Sequence, residues 1–456
     1  MTSPIVARAY PRKHFFVEMF TRDISLVDCI LDLVDNAIDG LIRSQKIDLG
    51  ASLLSQNDNQ PPSSAIPSII SITYSDKEFT IEDNCGGLGL NEAETEAFNF
   101  GHSQDYHQEI ENHQLGVYGV GLKRAIFKIG RHFKMVSRTL NDGFETMVDL
   151  DEWVKMDKKL EDWTFPLREL SSANKSSQAG TKITIKGLRG EVRTAISDPT
   201  FESRLNKSIA QTYALFLKRH VRIRLGDHDI EPTPIPFGAS DEVKPSRAKL
   251  TEDGVTVLLV ASITSLTANS QWTQNQAGWY VACNGRLIVT ADKTELTGWG
   301  TGALPAFHSK YRGFVGLALF QSNDPLKLPW KTTKRGLNEE SVVYQRARNQ
   351  MNATARPIIS FLNKMYPKDP VPESWARQIA SDVAQVDVRM LAQKPDSTFS
   401  VNPKKKRQAR TSVKIQFDAD RADIEKIKKH IRRPDLSAGQ VGKYVLDEYM
   451  KSEGLS

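Results

Sequence analysis

Asp32 and Asn36 lie four residues apart within Asp32-Leu-Val-Asp35-Asn36-Ala-Ile-Asp39-Gly40. On a helix that spacing puts both on one face, away from the apolar stripe. A carboxylate there can act on a water while the neutral amide oxygen meets a metal; a solvated polar face is the plainer reading of the pair alone. A second acid, Asp83, closes a strand and opens onto Asn84-Cys85-Gly86-Gly87-Leu88-Gly89. Glycines this dense let backbone approach a planar ligand while the acid fixes an exocyclic amine, although Asp-Asn before glycine is also common in ordinary turns. Gly116, Gly119 and Gly121 then enter an amphipathic helix that carries Lys123. They give unhindered amides and a helix N-terminus aimed at phosphate. The spacing fits neither a Walker A loop nor the Rossmann fingerprint. Ala179-Gly180-Thr181 is a small polar turn feeding a strand and says little by itself.

These groups need elements to hold them. Ile24, Val27, Leu31, Val34, Ile38 and Leu41 recur every three or four positions, so 23–43 reads as an amphipathic helix. Ile69, Ile70, Ile72, Tyr74, Phe79 and Ile81 suggest a strand pair turning at 75–77, and 182–186 alternates as a strand. A second long helix is expected over 200–220, followed by a strand at 221–225. Three β-rich runs fill 255–320, with Asn284-Gly285 as a hairpin turn in the middle one, and 340–366 is helical again. The stretch 101–115 is polar and holds His102, His107 and His113. With no cysteine or carboxylate frame beside them, these read as part of a lid rather than a metal site.

Composition narrows the classes. The 456 residues are 39% hydrophobic and 25% charged, with no apolar run of membrane-spanning length. The first residues lack the apolar stretch and cleavage site of a signal peptide, and Cys29, Cys85 and Cys283 are too few and scattered for a disulfide framework or a zinc site. A cytoplasmic protein without a membrane role is expected. The 61 basic and 55 acidic residues give a net charge of +6, and residues 401–456, with 14 basic and 8 acidic, hold all of that excess. Attraction to polyanions is therefore concentrated in the tail.

Together and in this order the four segments resemble the Bergerat-fold GHKL ATPases, which include gyrase B, the large heat-shock chaperone, histidine kinases and MutL. The family's N-box helix matches Asp32 to Asn36, its adenine box Asp83 to Gly87, its second glycine box Gly116, Gly119 and Gly121, and its late threonine Thr181. The resemblance implies ATP and Mg²⁺ as cofactors. Asn36 would ligate the metal, Asp83 would hold the adenine amine with Thr181 in support, and the glycine amides, with Lys123, would meet the phosphates. Asp32 stands where the family's general base is usually Glu. Its carboxylate is one methylene shorter, roughly 1.5 Å of lost reach, which implies slow turnover. Cys85 replaces the first glycine of the adenine box, with Gly86 beside it to supply the freedom.

The second half extends the resemblance. Pro329-Trp-Lys331-Thr-Thr333-Lys334-Arg-Gly-Leu337 resembles the Q-T-K loop of gyrase B, whose lysine reaches back to the γ-phosphate; Lys334 matches best, with Lys331 in reserve. Cys283-Asn284-Gly285-Arg286-Leu287-Ile288 is similar to the V-N-G-R strand of MutL and the N-R-L-I strand of MORC proteins. The implied fold is α+β: a Bergerat α/β sandwich ATPase domain over 1–190 and an S5-like transducer over 191–366. A linker over 367–410 then leads to a small C-terminal βαα unit over 411–456. Its strand 411–417 followed by two helices resembles a ribbon-helix-helix unit, with Lys404–Arg407 placed for phosphate contacts; a packing cap is the plainer reading. The implied function is a nucleotide-gated dimeric clamp on DNA, MORC-like, in phage defence or DNA surveillance. DNA would engage the tail 401–456, ATP would drive homodimerisation, and an operon-encoded protein is a further partner. A chaperone-like or scaffold ATPase gripping a protein is the alternative.

Overall fold

The computed structural model describes residues 11–47, 67–101, 113–117, 119–157, 162–170, 179–266, 272, 274–365, 379–402 and 418–455. The expected strand at 411–417, the basic run 404–407, His102 and His107 lie outside the described residues. The chain divides into two compact units, one running through residue 406 apart from 370–373 and the other formed by 370–373 and 407–456.

The larger unit holds two sheets. The first has eight strands: β1 (Ile69–Tyr74), β2 (Glu78–Asp83), β3 (His132–Arg138), β4 (Gly143–Asp149), β5 (Arg168–Glu169), β6 (Gly180–Lys186), β7 (Arg222–Leu225) and β8 (His228–Asp229). Their order is β5-β4-β3-β6-β2-β1-β7-β8, and only the β1–β7 pairing is parallel. Strict alternation gives the sheet two faces. Phe79, Ile81, Phe133, Met135, Ile183 and Ile185 are buried on one. Glu82, Lys134 and Lys182 stand on the other, where Lys182–Glu82 and Lys134–Glu145 pair at 2.8 Å.

The apolar face is covered by α1 (Lys13–Arg22), α2 (Leu26–Gln45) and α3 (Gly121–Ile129); α4 (Leu150–Lys155), α5 (Gly190–Ser197) and α6 (Phe201–Thr212) complete this part. Ser25 caps α2 by accepting from the Asp28 amide, a contact worth about 1 kcal/mol. The second long helix stops at Thr212 rather than 220. The chain turns there so that Tyr213, Leu215, Phe216 and Leu217 can enter the core, and β7 then adds to the first sheet. That sheet therefore extends past residue 190.

After two short strands, β9 (Gly238–Ala239) and β10 (Val243–Lys244), the second sheet is built from β11 (Ser246–Glu252), β12 (Val255–Ile263), β13 (Gly278–Cys283), β14 (Arg286–Asp292) and β15 (Phe314–Gln321), in the order β11-β12-β15-β13-β14. Asn284 and Gly285 turn the β13–β14 hairpin with φ of 46° and 85°, the two positive values that a type I′ turn requires. Helix α7 (Val342–Met365) closes a core with Trp279, Trp299, Phe320 and Tyr344.

The expected linker 367–410 needs correction over its described part. Residues 379–402 fold back: 384–385 pairs with 238–239, 400–401 pairs with 243–244, and α8 (Val388–Ala392) packs its Val388 and Leu391 into the first core. Its elements are only two to five residues long, too short for an apolar period to show.

The smaller unit holds α9 (Arg421–His430), capped by Asp420, and α10 (Ala438–Ser452), where Ser437 and Gln440 form a capping box. Val441 is its buried residue, while Tyr444, Val445, Leu446 and Tyr449 are exposed. Among the described residues no helix is long and apolar enough to cross a membrane.

Candidate active site

Helix α2 is the spine of the site. Its aspartates Asp28, Asp32, Asp35 and Asp39 recur at i, i+4, i+7 and i+11, which confines them to a stripe about 60° wide at 3.6 residues per turn. Each holds a different piece of the molecule. Asp28 pairs with Arg335. Asp32 pairs with Arg124 of α3 at 2.5 Å. Asp35 takes Lys334 at 2.8 Å and Arg286 at 2.9 Å. Asp39 accepts the Leu115 and Gly116 amides at 2.7 and 2.6 Å. Asn36, between them, is exposed and makes no hydrogen bond to a described residue, so its amide oxygen is available to a ligand.

A cleft with about 1170 Å³ of empty space, part of it open to solvent, runs along this helix. It is lined by Lys334 and by nine of the residues singled out in the four sequence segments: Asp32, Asn36, Asp83, Gly87, Gly116, Gly119, Gly121, Lys123 and Thr181. A lining that runs from Asp83 and Thr181 to Asp32 and Lys334 suits an extended ligand rather than an ion alone.

At one end, Asp83 Oδ1 accepts the Cys85 amide at 2.8 Å and the Thr181 amide at 3.3 Å. Its Oδ2 makes no hydrogen bond to a described residue and remains for a donor in the cleft. Burial pushes the Asp83 carboxyl up to about 6 against the pull of those two amides. Thr181 Oγ1 lies 2.8 Å from Ser137 Oγ, which accepts the Leu88 amide at 2.8 Å. The left-handed turns of the adenine-box segment fall on Gly86 (φ 101°) and Gly87 (φ 68°), while Cys85 is buried in the core. A Cβ on Gly87 would lie 2.0 Å from the Arg138 carbonyl oxygen, so this glycine is required by the fold itself.

At the other end, α3 begins at Gly121 with no side chain capping it, which leaves its first amides for an anion. A Cβ on Gly121 would come within 3.3 Å of Asp32. Lys123 is buried and donates to the Ala97 carbonyl at 2.6 Å. Burial lowers its ammonium to about 7, with Glu96 opposing. Lys123 thus lines the cleft but ties α3 to the turn of π-helix at Ala93–Ala97, just before the expected lid. Burial likewise raises Asp39 to about 6.

The second sheet reaches this end of the cleft twice through one hairpin. Asn284 Nδ2 donates to the Gln114 carbonyl at 2.9 Å, next to the second glycine segment. Arg286 Nε donates to Asp35, and its Nη1 donates to the Lys334 carbonyl at 2.8 Å. Tyr213 Oη lies 2.7 Å from the same Asp35 carboxylate. Burial alone would raise Asp35, but Arg286 and Lys334 outweigh it and hold the acid below the usual carboxylate range. Lys331 is exposed and does not line the cleft, whereas Lys334 does.

Sequence reasoning found the cleft residues but missed Asp35, Asp39, Arg124, Ser137, Tyr213 and Arg286 as contributors. The four-aspartate stripe was the available signal for the first two. No cluster of metal-ligating side chains is found among the described residues.

Residues 24–181, about a third of the chain, match the family model described as histidine kinase-, DNA gyrase B-, and HSP90-like ATPase. The match begins just before α2 and ends on Thr181, enclosing the cleft residues of the first sheet and its helices. No curated protein matches the chain. The family match supports the GHKL superfamily for this segment, and with it an ATP-binding, ATPase-type cleft.

Proposed function

We propose, from the premise of a GHKL-type ATPase domain over residues 24–181, that this chain is a magnesium-dependent, slowly hydrolysing ATPase. It works as a nucleotide-gated dimeric clamp on DNA, of the MORC-like or MutL-like branch with a transducer domain. The observation that carries the reading is that Lys334, from beyond the second sheet, lines the same cleft as Asn36, Asp83 and the glycine segments. A lysine from a loop beyond the second sheet, placed beside the triphosphate end, gives ATP and ADP different contacts, and a switch needs that difference.

In this reading Asp83 accepts the adenine amine through Oδ2, with Thr181 and Ser137 holding the acid's surroundings. Asn36 contributes its oxygen to magnesium, which would offset the phosphate charge when bound. The α3 amides from Gly121 onward meet the phosphates, and Asp32 orients the attacking water. The Asp32–Arg124 contact at 2.5 Å fixes that carboxylate in place. It also engages one of its two oxygens, a second physical reason for slow turnover beside the short side chain.

DNA is the proposed object because the chain's excess positive charge lies in 401–456. Calorimetry with ATP and magnesium tests the cleft, and the absence of heat refutes it. A DNA mobility shift on the full chain and on one ending at residue 400 tests the clamp. Binding is expected to weaken steeply with salt and to vanish with the tail; salt-insensitive binding, or binding that survives the deletion, refutes the DNA assignment. Mass measurement with a non-hydrolysable ATP analogue tests dimerisation, and an unchanged monomer excludes it.

A further inference from the structure

Lys334 is held more firmly than a contact to phosphate alone requires. Its φ is 53°, an uncommon left-handed value for a residue with a side chain. Its amide donates to the Lys331 carbonyl at 2.8 Å, and its own carbonyl accepts Arg286 Nη1 at 2.8 Å. Its ammonium donates to Asp35 Oδ2 at 2.8 Å, while Asp35 Oδ1 accepts Arg286 Nε at 2.9 Å. All three side chains are buried: Asp35 is 0% exposed, Arg286 1% and Lys334 7%. Arg286 therefore touches both the backbone of the lysine and the acid that takes its ammonium.

The charge balance within this cluster is uneven. One carboxylate serves two cations in direct contact, so neither cation is fully compensated. The neighbouring acids of α2 do not change this by contact. Asp32 is matched by Arg124, while Asp39, whose two oxygens accept backbone amides, shares its charge between Lys334 and Arg43 at longer range. An isolated Asp35–Lys334 pair would be neutral and indifferent to an incoming anion. With Arg286 added, the cluster keeps a surplus positive charge on the wall of the cleft, where burial strengthens its attraction for an anion.

We propose that Arg286 is the positioning residue that makes Lys334 a sensor of the terminal phosphate, by sharing Asp35 so that the lysine's charge stays available to the cleft. The inference deepens the reading of the cleft as an ATP site and rests on it. It assigns the preference for a triphosphate over a diphosphate to a residue of the second sheet that does not itself line the cleft.

Affinities for ATP and ADP, each with magnesium, are measured by calorimetry on full-length wild type, R286M, K334M, R286K and the double variant D35N/R286M. Thermal unfolding establishes which variants are folded. Wild type is expected to prefer ATP, and K334M to lose about five- to tenfold of that preference. R286M leaves Asp35 with Lys334 and Tyr213, so no buried charge is orphaned, and its preference is expected to fall to the K334M level. Removing Asp35 as well restores the surplus charge, so D35N/R286M is expected to regain preference, an outcome that a purely structural role for Arg286 does not produce. R286K keeps the charge and is expected to retain most of the preference.

Wild-type preference in R286M overturns the proposal, as does a folded D35N/R286M no better than R286M. If R286M does not fold, R286K decides: retained preference supports the surplus-charge account and its loss overturns it. Equal binding of ATP and ADP by wild type sinks the inference and the switch role of Lys334, and leaves the cleft standing as a nucleotide site. Wild type that binds neither nucleotide sinks the ATP reading and this inference with it.

Discussion

The two ends of the cleft are built by different physics. Around Asp83 the walls are neighbouring strands pressed together: a Cβ on Gly87 would sit 2.0 Å from the Arg138 oxygen, and one on Gly180 would sit 2.0 Å from the Asp83 oxygen. The acid there is held through Oδ1 by two nearby backbone amides. Around Lys334 and Asp32 the walls come from segments far apart in sequence, joined by ion pairs from α2 to α3, to β14 and to the loop after β15. Close packing is unforgiving and holds one shape. Ion pairs can exchange partners when a new anion arrives, at little structural cost. The first end is suited to recognising a fixed group, and the second to responding to a variable one.

The comparison breaks most visibly at Gly87. Gly87→Ala puts a methyl against backbone at a φ of 68°. It is expected to destabilise the fold by about 3 kcal/mol or more, read as a shifted urea midpoint; a shift below experimental error would show that this end yields more than its packing implies. Asp32→Asn acts at the ionic end and should leave the urea midpoint far less affected. ATP affinity is expected to persist while turnover falls by about 10²-fold or more. Undiminished turnover would remove Asp32 as the base. Next in size is Asp83→Ala, which removes the proposed acceptor for the adenine amine. ATP affinity is expected to fall about 30-fold, in line with loss of a hydrogen bond to a charged group, and calorimetry of ATP against GTP should show the base preference lost with it.

The contrast also explains what could be read from the chain itself. The Asp83 end was legible where its residues are consecutive: Asp83 and its glycines sit in one turn, and the need of Gly86 and Gly87 for positive φ is a property of residue type. The helix carrying Asp32 and Asn36 announced itself by apolar period, and the Asn284-Gly285 turn by its two left-handed residues. The ionic end was legible only in part. Asp35 was visible as a residue but its partners Arg286 and Lys334 are 251 and 299 positions away, and nothing local in an arginine on a strand says which acid it will meet. Lys123 was read as a phosphate contact, yet its ammonium donates to the Ala97 carbonyl. A lysine after a glycine loop looks alike in both roles. Residues 379–402 escaped because short pairings to 238–244 leave no period to detect.

The smallest expected effect is the one that sharpens the comparison, because it reads both ends with one variable. Burial raises both Asp83 and Asp39 to about 6, one acid at each end. Each works as an acceptor, so each must be ionised to function. A raised value means that protonation sets in as pH falls through 6, while ordinary carboxylates are still charged. The sign is therefore a loss of affinity towards acid, by about tenfold for one such group at one unit below its pKa. Adenosine carries no phosphate to titrate and, in the proposed reading, touches the Asp83 end only. Its affinity at pH 5 is expected to be about tenfold below that at pH 7, and the change should vanish in Asp83→Asn. ATP binding to Asp83→Asn should keep a residual pH dependence, because Asp39 still orders the Leu115–Gly116 amides through its ionised form. An adenosine profile flat from pH 7 to 5 in the wild type would show that Asp83 does not hold the base. A residual ATP profile unchanged by Asp39→Asn would show that the second glycine segment is ordered by something other than that carboxylate.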